Sequence, residues 1–227
     1  MNRVFVLSPA NCNGLRARWV LRRNSRLELA QRLRGCGAPL GEVFSFLSAL
    51  YFRGKLAYAN AFTRPPADCA GIFIITPSAG LVPHDTLIRH PRLRGFGRVP
   101  IHIKNRQYCS ALRRSAKKLA GEMNSDCEVI LLGSIASGKY LDILSPIFGS
   151  RLRVPAEFMG LGDMSRGGLL LRCVKENNEL EYMDSAALLA AAVKRSRTSR
   201  RRAKELRSEN QPTQASIQSP RPLAGSK

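Results

Sequence analysis

The sequence predicts an α/β protein: a three-layer sandwich on a mainly parallel sheet, followed by a C-terminal helix and a basic, mostly disordered tail. Three observations predict it. Apolar runs of four or five residues alternate with stretches of helical periodicity, the pattern of strand–helix–strand units. Four of those runs end in loops of small and polar residues. Apolar residues make up 44% of the 227, enough for one core. Residues 1–193 therefore read as a single domain and 194–227 as the tail.

Val4–Leu7 is a short apolar run broken at Ser8-Pro9, a buried strand with a polar loop behind it. Residues 15–34 are helical in character. Ser25 with Glu28 has capping-box spacing, so a helix restarts there and ends at Gly35. Val43, Leu47 and Leu50 carry a second helical stretch over 41–63, with a kink or turn expected at Gly54. Ile72–Ile75 reads as a strand, 84–98 as loop, and Val99–Ile103 as an edge strand. Leu112, Ala116, Leu119 and Met123 form the stripe of an amphipathic helix over 107–124. Glu128–Leu132 is the clearest strand, Tyr140–Phe148 a short helix and Leu152–Val154 another strand. Leu169–Val174 and Glu179–Tyr182, joined through Asn177-Asn178, read as a hairpin. Ser185 caps an Ala/Leu helix running into Lys194 and beyond. From Ser208 the chain has too little apolar content to offset the entropy of ordering.

Charge narrows the function classes. The chain carries a net +21, and the tail, with ten Lys/Arg against two Glu, accounts for only +8 of it, leaving +13 on the body. A field of that sign attracts polyanions, so nucleic acid or nucleotide is the expected partner. The longest wholly apolar run, Ala186–Val193, is far too short to cross a bilayer, and no membrane role is expected. None of the six cysteines forms a Cys-x-x-Cys pair, which argues against a zinc or thioredoxin-like site, and no cofactor is specified. Free cysteines and an N-terminus leading straight into Val4 point to the reducing cytoplasm.

Parallel sheets gather ligands beyond the carboxyl ends of their strands. The four loops Ser8–Gly14, Thr76–Asp85, Gly133–Lys139 and Pro155–Gly168 would meet on that edge. Ser8, Asn11, Thr76, Ser78, Gly133, Ser134, Gly138, Lys139 and Arg166 are the candidate ligand- or phosphate-binding residues, and Glu157 and Asp163 the candidate catalytic acid/base pair. Gly133–Lys139 fits the G-x-x-x-x-G-K pattern of a phosphate loop. Tyr140 stands where that loop needs Ser or Thr for magnesium, which leaves a weaker anion site at the following helix as the other reading. Cys12 follows a strand but has no histidine visibly paired with it, so a structural thiol competes with a nucleophile. Tyr51, Phe52, Arg53, Lys55 and Tyr58 interleave aromatics with cations, which suits bases and phosphates, while Phe52 and Tyr58 suit a core equally. Arg16, Arg22, Arg23, Arg53, Lys55, Arg200, Arg201 and Arg202 are the candidate nucleic-acid contacts.

Two segments carry a resemblance. Ser48-Ala49-Leu50-Tyr51-Phe52-Arg53-Gly54-Lys55-Leu56-Ala57-Tyr58-Ala59 looks like a helix of a small uncharacterised bacterial and phage α/β family that opens with a strand and a Cys-containing loop, as Val4–Cys12 does. Ile74-Ile75-Thr76-Pro77-Ser78-Ala79-Gly80-Leu81-Val82-Pro83 is similar to that family's strand and turn, and also to a segment of the middle domain of archaeosine synthase. The family's Cys-x-x-x-Lys opening is here Cys12-Asn13-Gly14-Leu15-Arg16, without the lysine. The resemblance implies an α/β sandwich and a context of modified nucleobases or nucleic acid. The expected function is then an enzyme-like domain acting on or binding a nucleobase, nucleotide or nucleic acid. A non-catalytic nucleic-acid binder and a phosphate-loop nucleotide binder are the alternatives.

Overall fold

A computed structural model of the chain describes residues 1–134, 138–185 and 187. The strands are β1 (Arg3–Leu7), β2 (Ala38–Pro39), β3 (Ile72–Thr76), β4 (Gly80–Pro83), β5 (Leu87–Ile88), β6 (Glu128–Leu132), β7 (Leu152–Pro155) and β8 (Tyr182–Asp184). Six of them form one sheet in the order β4-β3-β1-β6-β7-β8, and β2 and β5 form a separate ribbon. β1 pairs in parallel with β3 and β6, and β6 with β7, while β4 and β8 close the edges antiparallel. Val4–Leu7 and Val129–Leu132 are wholly buried, because the central strands of a parallel sheet are covered on both faces.

The helices are α1 (Leu15–Leu21), α2 (Glu28–Arg34), α3 (Leu40–Ser48), α4 (Leu50–Phe62), α5 (His90–Phe96), α6 (Arg106–Glu122), α7 (Leu141–Phe148) and α8 (Asp163–Glu176). α4 packs on α8 and β1, and α6 packs on α7, β3 and β4. The chain first moves from β1 to β3 and then returns past β1 to β6 and β7, an order for which crossovers of the usual right hand set the two layers on opposite faces. The predicted three-layer α/β sandwich with a mainly parallel sheet is the fold observed.

Several elements differ from expectation, each for a local reason. The break between α3 and α4 is at Ala49, in a left-handed backbone (φ 50°), and Gly54 lies inside α4. α2 starts at Glu28 with Leu27 as its cap, so the Ser25–Glu28 box does not form. Residues 90–96 are helical, because Pro91 sits in the first turn, where its missing N–H costs nothing. Val99–Ile103 is not a strand, although Val99 and Ile101 pack on the core. Leu169–Val174 belongs to α8, which ends at Asn177 in the left-handed region (φ 50°), and β8 pairs with β7 rather than with a hairpin partner. The helix expected from Ser185 and the tail at 194–227 lie almost wholly outside the described residues.

The amino edge of the sheet is held by charge. Arg3 pairs with Glu128 and Glu179, and Arg153 Nε lies 3.5 Å from Glu128. Tyr58 Oη meets Tyr182 Oη at 2.7 Å and accepts from Leu180 N–H at 2.8 Å, which fixes α4 to the chain entering β8.

Candidate active site

From the carboxyl end of β1 the chain turns toward β3, and from that of β6 it turns the other way toward β7. Loops that part in opposite directions open a crevice between adjacent strands, the place where open α/β sheets bind ligands. Ser8 and Gly133 are the first residues beyond those two strands. Ser8 N–H donates to Leu132 O at 3.0 Å across the pair. A Cβ on Gly133 would lie 3.0 Å from Ser8 Cβ and 3.4 Å from the Tyr140 ring, so glycine is what lets the serine and the tyrosine close in on the crevice.

Lys55 enters from α4. It is 1% exposed, and its Nζ lies 2.6 Å from Ser8 O and 2.7 Å from Ser8 Oγ. The rings of Tyr51 and Phe52 flank the Nζ with centroids at 4.5 and 4.8 Å. Among the described residues no carboxylate forms an ion pair with it. Burying an unpaired ammonium costs several kcal/mol, more than the two hydrogen bonds to Ser8 return, so the neutral amine is favoured. Burial accordingly lowers the Lys55 pKa to about 7; the Asp163 charge opposes that shift and Arg166 reinforces it.

A close helix crossing delivers the remaining groups. A Cβ on Gly54 would lie 2.7 Å from Gly167 O, and one on Gly167 2.9 Å from Tyr51 Cα, so the α4 and α8 backbones touch where neither has a side chain. The crossing sets Tyr51 and Lys55 of α4 beside Asp163 and Arg166 of α8. Arg166 is buried, donates from Nε and Nη2 to Phe158 O at 3.2 and 2.9 Å, and reaches Asp163 Oδ1 from Nη1 at 3.4 Å. Asp163 is the exposed member of that pair, with 68% of its side chain open to solvent. The buried Tyr51 Oη makes no hydrogen bond of good geometry among the described residues, although the Arg166 guanidinium is beside it. Its pKa is pushed up to about 12 by burial, so it remains a donor. Tyr140 is buried, and burial raises its pKa too, with the Tyr51 and Asp163 charges adding to the shift.

Of the residues read from the sequence, Ser8, Gly133, Asp163 and Arg166 come together here. Asn11 and Lys139 line an adjacent cleft of ≈ 280 Å³ with Pro9, Cys12, Pro77 and Tyr140. Asn11 also accepts from Asn13 N–H at 2.9 Å. Cys12 is buried and its thiol is pushed up to about 12, which makes it a packing group rather than a nucleophile. Thr76 staples the β3–β4 turn: its hydroxyl donates to Gly80 O at 2.9 Å and accepts from Ala79 N–H at 3.1 Å. Ser78 sits half-buried on the same turn, and Ser134 is half-buried beyond β6. The middle of the phosphate-loop pattern, 135–137, lies outside the described residues. At its end Gly138 adopts a left-handed conformation (φ 63°) with the Asp142 carboxylate against it. That acidic group sits at the start of α7, where a phosphate would have to bind.

Glu157 is exposed on a 3-10 turn (Ala156–Phe158), its charge felt at Cys173 rather than at Lys55, so it stands apart from the cluster. Lys55 is not the surface phosphate contact expected of it, because α8 covers it, and Tyr51, Phe52 and Tyr58 are core rather than base-stacking surface. Arg22, Arg23 and Arg53 are exposed. Arg16 is also exposed but donates to Phe46 O at 3.1 Å. Arg200, Arg201 and Arg202 lie outside the described residues. Sequence reading missed Tyr51, Lys55 and Tyr140 as members of the crevice. The signal available was a glycine next to a cation on two helices, Gly54-Lys55 and Arg166-Gly167, which marks where the two backbones can touch.

Among the described residues no helix is long and apolar enough to cross a membrane, and no group of His, Cys, Asp and Glu is arranged to hold a metal. Set against family models, curated proteins and solved structures, the chain matches none of them.

Proposed function

We propose that the chain is an enzyme-like domain that takes a nucleobase, nucleotide or nucleic-acid end at the carboxyl edge of its sheet, where Lys55 and Arg166 meet the ligand's oxygen atoms. The observation that carries this reading is the pair of buried basic side chains at the switch-point crevice, with only the exposed Asp163 beside them. A buried guanidinium beside a buried amine, with no buried counter-charge, favours an oxygen-rich or anionic partner. The unused donor of Tyr51 favours the same ligand, since a buried hydroxyl without an acceptor is costly. The +21 net charge supports the nucleic-acid class among such ligands by raising their local concentration.

The test is a thermal-shift screen at low salt against nucleosides, nucleotides and short RNA and DNA. A shift in the wild type that disappears in Lys55→Met and Arg166→Gln supports the reading. No shift with any of these ligands sinks it. A second reading, a nucleic-acid binder without chemistry, is favoured by the groove of ≈ 640 Å³ between Arg16, Arg32, Phe46 and Arg53. Arg32 there is already engaged by Glu42 at 2.6 and 2.8 Å and Arg16 by Phe46 O at 3.1 Å, which leaves Arg53 and the remaining donors of Arg16 for phosphates. Under that reading Lys55→Met and Arg166→Gln leave nucleic-acid affinity intact, whereas Arg53→Ala weakens it.

A further inference from the structure

We propose that Ser8 is a nucleophile and Lys55 its base, a pair that moves an acyl group from an ester, thioester or activated amide onto Ser8 and then to water. The inference rests on the reading of the carboxyl edge as the ligand site, and names the chemistry carried out there.

The contacts of the amine carry the argument. A neutral lysine has two N–H donors and one lone pair. Ser8 O, 2.6 Å away, takes one N–H and fixes the amine in place. Ser8 Oγ, 2.7 Å away, accepts the other N–H, its one hydrogen bond among the described residues, and a turn about the Cε–Nζ bond brings the lone pair of a neutral amine to face the hydroxyl proton instead. A hydroxyl whose proton points at a fixed, uncharged amine is the arrangement a Ser–Lys pair needs. Above about pH 7 the surroundings favour that form. Tyr51 on α4, Arg166 and Asp163 on α8, and Tyr140 before α7 are the titratable and charged groups around it. The only acid among them, Asp163, is exposed and engaged by Arg166.

Location agrees with the role. Ser8 is the first residue beyond the central strand, opposite the bare backbone of Gly133. Ser8 is 5% exposed and does not itself line the neighbouring cleft, which begins at Pro9, the next residue of the chain, and includes Asn11 and Tyr140. In the first step the Ser8 hydroxyl proton passes to Lys55 Nζ while Oγ bonds to the acyl carbon, and the carbonyl electron pair moves onto its oxygen. The tetrahedral adduct collapses, the bond to the leaving group breaks, and that group departs with the proton from Lys55. A water molecule then gives a proton to Lys55 and adds to the acyl carbon, and Ser8 Oγ leaves and regains the proton. The net change is hydrolysis of the acyl bond, with no oxidant or reductant required.

The test treats the full chain with a fluorophosphonate between pH 6 and 9, followed by intact mass and peptide mapping. Attack by Oγ forms an O–P bond and expels fluoride. The expected result is one label, on Ser8, at a rate that climbs as Lys55 loses its proton and levels off above about pH 8. Ser8→Ala should take no label, and Lys55→Arg should react at least about tenfold more slowly. Wild-type protein that takes no label on Ser8 anywhere in this range overturns the proposal, whether or not the variants fold. Nucleotide thermal shifts measured on the same sample separate the two readings. A shift without labelling overturns the Ser8–Lys55 pair alone, and labelling without a shift upholds the pair and removes the nucleotide.

Discussion

Lys55 shows how one residue's chemistry is set by what covers it. Its folded pKa, about 7, lies below the ordinary 10.5, so between those values the unfolded chain holds a proton that the native protein does not. Stability should therefore rise with pH across that window, by up to about 1.4 kcal/mol per pH unit from this one group, and flatten below pH 7. Denaturant unfolding of wild type and Lys55→Met from pH 6.5 to 9.5 isolates the effect, because other titrations are common to both chains. The difference in stability should grow in favour of the wild type as pH rises; a difference independent of pH would show that Lys55 stays charged. Thr76 offers a simpler expectation. Thr76→Val leaves Ala79 N–H without its acceptor on the β3–β4 turn and should cost about 1–2 kcal/mol in a melting experiment. Ser8 was legible in the sequence because it stands just beyond a strand end, and Asp163 and Arg166 because they lie in the polar, Gly-rich stretch after β7, which folds as the start of α8. Lys55 was legible only as a surface cation, because its burial depends on α8, more than a hundred residues away in the chain.

At the scale of elements the α4–α8 crossing governs the site. Gly167 and Gly168 are neighbours on α8 with opposite surroundings. A methyl on Gly167 would collide with the Tyr51 backbone at 2.9 Å, and one on Gly168 would have no atom within 4 Å. Gly167→Ala should cost about 1–3 kcal/mol, since backbone cannot rotate aside, and should also displace Arg166 and weaken ligand binding. Gly168→Ala should stabilise by about 0.5–1 kcal/mol through helix propensity alone. Thermal melts of the two variants check the sign. The parallel core was readable because β1, β3, β6 and β7 are apolar runs bounded by polar loops. α8 was not: Leu169–Val174 fits a buried strand as well as a buried helix, and only packing against α4 decides between them. The α3–α4 break was misassigned for a similar reason, since Gly54 marks a close approach and Ala49 carries the turn.

Across the whole molecule the dominant quantity is charge. The first 193 residues hold +13 and residues 194–227 hold +8. Removing 194–227 should lower affinity for nucleic acid about equally for all sequences, because phosphate contacts position without specifying. The dependence of log affinity on log salt should become shallower by about 0.7–0.9 for each phosphate that the shortened chain no longer neutralises. Binding isotherms at several salt concentrations measure both. Unchanged affinity would assign the tail's charge no part in binding, and chemistry at the crevice should survive the truncation in either case.

The most direct test of the site as described is the titration of Lys55 itself. The chain has only nine lysines, so a ¹³Cε-lysine NMR spectrum, with Lys55→Arg to assign the resonance, follows each one through pH 5 to 11. The expected result is one lysine titrating near pH 7, absent from the Lys55→Arg spectrum and displaced in Ser8→Ala. A Lys55 resonance that stays in its charged position until pH 10 would contradict a neutral amine held against Ser8.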